Sequence, residues 1–384
     1  MKNLSIWLPP FAGDYSGACS ALFDFNALII LNDAACCTRN YVEYEEPRWS
    51  RGKKTTFCAQ LRTVDAVLGN DERILAKAEE AARELKPDFV ALLGSPVPAV
   101  IGMDLPGMAW ELEGRLELPC FGLNTTGFEG YHKGVSAALI ALLRRFAQKG
   151  EPVQGAVNLL GLTPLDFSAN RNAERIRRLL EDSGHPVLWS AAMGTGLEQV
   201  KAAGRAQANL VLSWSGLAAA KEMERSWGIP YLAGVPVGAA GADALLSLLE
   251  QTLRDGHSRF LSAGGEGPRP ILIAAEQVLA NSLRAALRAN GCRHGIRTAS
   301  FFGWEKNWAQ PGDLHLRDEA ELEQLLAAGG YASLIGDPLF ARLPSAGRAA
   351  LHPLPHPAVS SSLHWHEVPV FPDISREDLN RWSE

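Results

Sequence analysis

The nine residues Asp88-Phe-Val-Ala-Leu-Leu-Gly-Ser-Pro96 join an apolar run to a Gly-Ser-Pro turn. A strand that is apolar on both faces is typical of a parallel sheet with helices on either side. Residues 71–85 before it are rich in Ala, Glu and Lys, which predicts a helix. A second apolar run, 117–123, follows and ends at Asn124, so strands and helices alternate in this part of the chain.

The alternation of apolar runs and amphipathic segments extends over most of the chain. It predicts an α/β fold of doubly wound parallel sheets, in which ligands bind beyond the carboxyl ends of the strands. Further strands are predicted at 27–31, 155–161, 186–189, 208–212, 229–232, 269–274, around 296 and at 331–336, and further helices at 134–148, 172–183, 197–204, 216–227, 276–290 and 318–328.

A length of 384 residues is enough for two or three domains of about 100–200 residues each. We predict three Rossmann-like domains, 1–150, 151–255 and 256–384, the last of which ends in an irregular tail. The stretch 255–270 is rich in Gly, Ser and Pro and is the predicted linker between the second and third domains.

The composition, 47% hydrophobic and 21% charged, is that of an ordinary globular protein. A net charge of -6 argues against a nucleic-acid partner. No apolar run reaches the ~18 residues of a membrane span, and the first residues lack a secretory signal, so we expect no membrane partner and a cytoplasmic location. The sequence contains no phosphate-loop or dinucleotide fingerprint, so a nucleotide-driven activity would need a partner that hydrolyses ATP.

Four of the six cysteines lie within the first 58 residues, at positions 19, 36, 37 and 58. We expect Cys19 in a loop, and Cys36 and Cys37 follow the predicted strand 27–31 and a turn. Thiolates at the ends of core elements can converge on one iron–sulfur cluster, because soft sulfur ligands suit iron in that form. The spacing is not a C-x-x-C pattern, and cysteines that pack as small buried hydrophobic residues remain an alternative.

The order of motifs in the first 150 residues carries more information than any one of them. The ordered motifs are Gly17-Ala-Cys19, Asn32-Asp-Ala-Ala-Cys-Cys37, Ile101-Gly-Met-Asp104 and Thr126-Gly-Phe128. This order resembles nitrogenase component 1 and its relatives, the dark-operative protochlorophyllide and chlorophyllide reductases and the reductase of methanogen nickel-tetrapyrrole synthesis. Fainter similarity continues at 157–161, 208–238, 333–336 and 354–357.

The resemblance implies three Rossmann-like domains and an iron–sulfur cluster, of the [4Fe-4S] or P-cluster type, shared with a second subunit. By the matching positions, Cys19 and Cys37, or Cys36 in its place, would be the ligands from this chain. The second subunit would be a homologous component 1 chain, identical or paralogous. A separate ATP-hydrolysing iron protein would deliver electrons to a substrate held between the domains.

Two positions depart from the family pattern. Ser95, or Pro96, stands where the family has its third cluster cysteine, and Ser213 ends the strand that carries the cofactor-binding cysteine of the nitrogenase α subunit. These departures argue against dinitrogen as the substrate. They leave three hypotheses: a redox subunit with an unidentified substrate, a non-catalytic scaffold for cofactor assembly, or a cluster-free three-layer α/β binding protein.

Several other residues have both a functional and a structural interpretation. Asp33 is a candidate oxygen ligand or the start of an Asx turn. His356 lies in a segment that resembles one near the family's substrate cavity, whereas His364 and His366 form a weaker candidate metal pair in a Pro-rich tail. The charged stretch 43–48 is a candidate docking surface or a solvated loop, and Cys58, Cys120 and Cys292 are expected to be structural; the ten tryptophans either line an apolar pocket or belong to the core.

Overall fold

A computed structural model describes residues 5–50, 55–69 and 71–383. Strands form three parallel sheets, and the segments between strands include helices. The strands are β1 Ala27–Leu31, β2 Thr56–Cys58, β3 Phe89–Leu93, β4 Cys120–Leu123, β5 Val157–Leu160, β6 Val187–Ser190, β7 Ala208–Val211, β8 Tyr231–Ala233, β9 Arg259–Phe260, β10 Ile271–Ala274, β11 Ile296–Ser300, β12 Leu314–His315, β13 Ser333–Gly336 and β14 Ala350–Pro353.

The helices connect these strands in the order expected of doubly wound sheets. They are α1 Asp14–Leu22, α2 Cys36–Asn40, α3 Thr63–Leu68, α4 Asp71–Leu85, α5 Pro96–Ile101, α6 Leu105–Leu116, α7 Tyr131–Phe146, α8 Pro164–Phe167, α9 Asn172–Asp182, α10 Leu197–Ala202, α11 Leu217–Trp227, α12 Gly238–Asp255, α13 Gln277–Ala289, α14 Glu319–Ala328, α15 Pro357–Ser360 and α16 Arg376–Trp382. None of the described helices has the length and apolar character needed to cross a bilayer.

Each sheet has its earliest buried strand near the middle and its short strands at the edges. The strand orders are β2-β1-β3-β4, β6-β5-β7-β8-β9 and β12-β11-β10-β13-β14, and the neighbouring strands within each sheet run parallel. Strands β1 and β3 are buried along their whole length, as the apolar run 88–93 predicts. The predicted α/β class with doubly wound parallel sheets is therefore confirmed.

Helix α1 is the main departure from the sequence-based expectation, which placed Cys19 in a loop. Its glycine and serines are poor helix formers, but its nine residues are all buried, against α7 among other elements. The crossing of α1 and α7 depends on two glycines: a Cβ on Gly17 would lie 2.0 Å from the carbonyl oxygen of Tyr131, and one on Gly134 would lie 1.7 Å from that of Asp14. Tertiary packing thus overrides weak local propensity.

The predicted linker and tail both take part in the folded structure. Strand β9 lies inside the stretch 255–270 and adds a fifth strand to the second sheet. In the tail, β14 completes the third sheet and α16 packs against α13. One hydrophobic core runs through all three sheets, so the domain boundaries stay predictions.

Candidate functional site

A cluster of buried polar and aromatic residues lies where the carboxyl ends of strands from all three sheets meet. Tyr131 begins α7 after β4, Asp166 follows β5, and His356 follows β14. The hydroxyl of Tyr131 donates a hydrogen bond of 2.5 Å to Oδ1 of Asp166, and the same hydroxyl lies 3.4 Å from Nε2 of His356. One side chain from each predicted domain therefore meets at this point, which we call the domain junction.

Asp166 is the hydrogen-bonding centre of the domain junction. Its Oδ2 accepts from the hydroxyl of Thr163 at 2.8 Å and lies 3.0 Å from the hydroxyl of Ser213. Ser213 is also 2.7 Å from the carbonyl oxygen of Gly161, and its single proton can serve only one of these acceptors at a time. Burial raises the pKa of Asp166 to about 6, although these hydroxyl donors and that of Tyr131 favour the ionised form.

His356 is neutral in this environment. Burial lowers its pKa to about 3. Its Nδ1 accepts from the backbone N–H of Ala358 at 3.3 Å, so we assign the ring proton to Nε2, which faces Tyr131. The resulting order of donors and acceptors runs from His356 through the Tyr131 hydroxyl to Asp166.

Glu276 is a second buried carboxyl group beside the domain junction. It caps the N-terminus of α13 by accepting from the backbone N–H groups of Val278 and Leu279, and it also accepts from that of Trp214 at 2.9 Å. Burial and the nearby charge of Asp166 raise its pKa to about 8, against the opposing effect of these donors. The contact with Trp214 joins the second and third sheets.

Aromatic rings fill the space around these carboxyl groups. The rings of His132 and Trp214 are 5.0 Å apart between centroids, and those of Phe302 and His356 are stacked at 4.7 Å. A Cβ on Gly303 would lie 1.9 Å from the Trp214 ring, so only glycine accommodates this ring position. The cavity that remains beside His356 measures about 10 Å³, which is room for about one water molecule.

The structure separates the thiols that the sequence singled out. Cys19 lies inside α1, fully buried in the core, and burial raises its pKa well above the usual range. Cys37 is half-buried in α2, where burial and the charge of Asp33 raise its pKa to about 11, and Cys36 beside it is exposed. Ser95 is fully buried, and its hydroxyl donates to the carbonyl oxygen of Asn32 at 2.8 Å.

Two structural interpretations from the sequence are settled by hydrogen bonds and burial. The Oδ2 atom of Asp33 accepts from the backbone N–H groups of Ala35 and Thr38, which is the turn-forming role. The charged stretch is not a solvated loop: Glu45 and Glu46 are buried, and Arg48 pairs with Glu46 at 2.7 Å. The expectation of a solvated loop was wrong because these carboxylates find partners inside the fold.

The remaining candidates make local contacts. Nδ1 of His364 lies 2.9 Å from a carboxylate oxygen of Glu367. The thiols of Cys58 and Cys120 donate to backbone carbonyl oxygens. In the part of the chain that the structure describes, no group of three or more His, Cys, Asp or Glu side chains is arranged to hold a metal ion.

Residues 14–298 match the family model of nitrogenase component 1 type oxidoreductases. The chain belongs to this family. The fold agrees: the chain superposes on the solved structure "Nitrogenase Cp1 at pH 6.5" with a TM-score of 0.73, covering 100% of this chain and 94% of that one, at 14% sequence identity.

Similar proteins come from two branches of the component 1 family. The nitrogenase iron-molybdenum cofactor biosynthesis protein NifE of Sinorhizobium fredii is 30% identical over 210 residues, 53% of this chain and 42% of the relative. NifE of Rhodobacter capsulatus is 27% identical over 260 residues, 66% and 52% of the two chains. One of the subunits of the light-independent protochlorophyllide reductase of a Synechococcus species is 27% identical over 225 residues, 50% and 41%. The chain thus matches about half the length of these relatives.

The residues present do not fit the cluster that the component 1 resemblance implies. Cys19 is enclosed within its own chain, so its sulfur does not face a second subunit. A ligand role for Cys37 or Cys36 stays a prediction. At the domain junction, Ser213 is engaged with Asp166 and the neighbouring rings occupy the space that a cofactor would need.

Sequence reasoning missed Asp166, Tyr131, His132 and Glu276. Asp166 and Glu276 each follow closely on the carboxyl end of a buried strand, which is the position where parallel sheets bind ligands. That position is the signal that could have identified both carboxyl groups. Tyr131 and His132 carry no comparable signal, because only the packing of α7 brings them to the domain junction.

Proposed function

We propose that this chain is a non-catalytic subunit of a component 1-type complex that handles a metal cofactor, and that it holds no cofactor at its own domain junction. The observation that carries this proposal is the filled junction, where Trp214, Phe302 and His132 occupy the space between the sheets. The relatives named as cofactor biosynthesis proteins support a role in cofactor handling. In this proposal a second component 1-type subunit carries the cofactor.

An exposed apolar face is the surface we assign to that second subunit. Helices α3 and α5 contact each other and expose Val67 and Leu68 on α3, at 76% and 75% of their full area, and Val100 on α5, at 76%. Apolar side chains grouped in this way mark a protein-interaction surface more often than solitary ones do. A subunit that buries this face would remove them from water.

The test is metal analysis of the chain purified without oxygen, alone and together with a co-expressed component 1-type paralogue. We expect a stable complex in which the metal stays with the paralogue when the subunits are separated. The isolated chain should carry less than one iron atom per molecule. Stoichiometric iron in the isolated chain would contradict the proposal.

Electron relay is the second candidate, and the position of Cys37 favours it. Cys37 and Cys36 lie beyond the carboxyl end of β1, directly after Ala35, which has a left-handed backbone with φ of 102°. Such strain in a non-glycine residue is concentrated at functional sites. If Cys37 ligates a cluster shared with a second subunit, Cys37→Ser will lower the iron content of the complex, whereas Cys120→Ser, the control, will not.

A further inference from the structure

A groove separate from the domain junction opens on the surface beside α1 and α2. Three segments far apart in sequence form it: residues 9–15, the π-helical turn Tyr41–Glu45 and residues 359–363. Its volume is about 460 Å³, within the range of about 300–1,000 Å³ that is usual for small-molecule sites. The groove is therefore large enough for a ligand of modest size.

The carboxylate of Glu45 lines this groove and is only 5% exposed. One of its oxygens accepts from Nδ2 of Asn40 at 2.7 Å and the other accepts from the hydroxyl of Ser16. Both donors are neutral, and within residues 5–50, 55–69 and 71–383 no cation pairs with Glu45. The adjacent Glu46, by contrast, is neutralised by Arg48.

A buried carboxylate without a counter-ion is costly, and a bound cation would offset that cost. The walls of the groove suit a cation as well, because Phe11, Tyr15 and Tyr44 contribute aromatic rings. The face of an aromatic ring attracts ammonium and guanidinium groups by about 0.5–2 kcal/mol. Tyr44 is 47% exposed, so an incoming ligand can reach it.

The backbone around the groove is unusual in two places. Tyr41–Glu45 is a π-helical turn, a rare conformation that is frequent at functional sites. Ser361 on the opposite side has a φ of 50°, which costs energy for any residue other than glycine. Both features lie in segments that line the groove.

We propose that this groove binds a small organic cation, an ammonium or guanidinium group on an apolar body, with Glu45 as its counter-ion and the aromatic walls around it. This site is independent of the proposed function, because it uses neither the domain junction nor the apolar face of α3 and α5. It also requires no metal.

The experiment compares two probes of nearly equal shape, butylguanidinium and the neutral N-butylurea, in saturation-transfer NMR titrations of the full chain at pH 8. We expect butylguanidinium to bind and N-butylurea to bind at least about tenfold more weakly, since a hydrogen bond to a charged group contributes about 1.5–3 kcal/mol. Equal binding of the two probes, or no binding of butylguanidinium, would overturn the proposal.

Variants locate the binding to this groove. Glu45→Gln keeps the shape and removes the charge, and we expect it to weaken butylguanidinium binding about tenfold. The matched control is Glu43→Gln, which removes an exposed carboxylate on the same turn and should leave binding unchanged. If Glu45→Gln lowers the melting temperature severely, Tyr44→Ala provides the second test, with an expected loss of a few-fold. Unchanged affinity in both Glu45→Gln and Tyr44→Ala would refute the site.

Discussion

At the scale of single residues, the three sheets are joined by a few buried hydrogen bonds around Asp166. This carboxyl group accepts from Tyr131, which the sequence places in the first predicted domain, and lies 3.8 Å from Nε2 of His356 in the third. A buried carboxylate depends on its donors, because each one lost leaves charge without compensation. The junction is therefore sensitive to very small changes in side chains.

Removing the Tyr131 hydroxyl tests this dependence. Tyr131→Phe should lower the free energy of unfolding by about 1–3 kcal/mol, because Oδ1 of Asp166 loses its short hydrogen bond. Urea denaturation followed by circular dichroism measures the change. The control is Tyr44→Phe on an exposed ring, which we expect to stay within about 0.5 kcal/mol of the wild type. Equal stability of the two variants would show that the Asp166 bond contributes little.

The pH dependence of stability gives a second test of Asp166. Its folded pKa, about 6, lies above the ordinary value of 3.8, so the folded protein holds a proton that the unfolded chain releases. The stabilisation from this proton is complete below about pH 4 and is lost as the pH rises through about 6. Glu276 shifts in the same direction, so the comparison uses a variant that lacks only Asp166.

Asp166→Asn should flatten the fall in unfolding free energy between pH 4 and pH 6.5 by on the order of 2 kcal/mol relative to the wild type. Urea titrations at four pH values in this range provide the measurement. Parallel curves for the two proteins would mean that Asp166 has an ordinary pKa in the folded state.

At the scale of elements, the sequence predicts strands and amphipathic helices well and the buried, glycine-containing helix poorly. Residues 71–85 form α4 as predicted, because good helix formers and a regular apolar stripe act together there. Helix α1 escapes prediction because its glycine and serines suggest a loop, and only the close approach of α7 stabilises it. The ligand role proposed for Cys19 depended on that predicted loop.

The crossing of α1 and α7 can be tested with alanine. Gly134→Ala should destabilise the protein by more than about 2 kcal/mol, because the new Cβ would meet the backbone of Asp14, which cannot move aside easily. Gly114→Ala in the exposed part of α6 is the control. No atom lies within 4 Å of a Cβ there, so we expect a gain of about 0.5–1 kcal/mol from helix propensity. Similar stabilities of the two variants would show that the crossing tolerates a methyl group.

At the scale of the whole molecule, the chain keeps the three-sheet architecture of the component 1 family while its junction is closed by side chains of its own. The architecture follows from the alternation of strands and helices, which is visible in the sequence. The closure depends on Trp214 passing over Gly303 and on rings contributed by three sheets, contacts that no local pattern predicts. For this reason the sequence predicts the family more readily than the state of its central site.

Association with a second subunit is the expected use of the apolar face on α3 and α5. Val67→Asp together with Val100→Asp should weaken binding to a co-expressed component 1-type paralogue at least tenfold, because charged groups at the centre of an interface lose their water. Mass photometry of the purified proteins measures the complex. Leu314→Asp on the edge strand β12 is the control, since it adds charge at a partly exposed position on another sheet. An unchanged complex with the double variant would remove this face from the account.

The most direct measurement is anomalous diffraction at the iron absorption edge, from crystals of the chain with its partner subunit grown without oxygen. The account predicts that Trp214, Phe302 and His132 occupy the junction of this chain and that no anomalous peak lies among them. An iron peak between Asp166, Trp214 and His356, with the Trp214 ring displaced, would contradict the account.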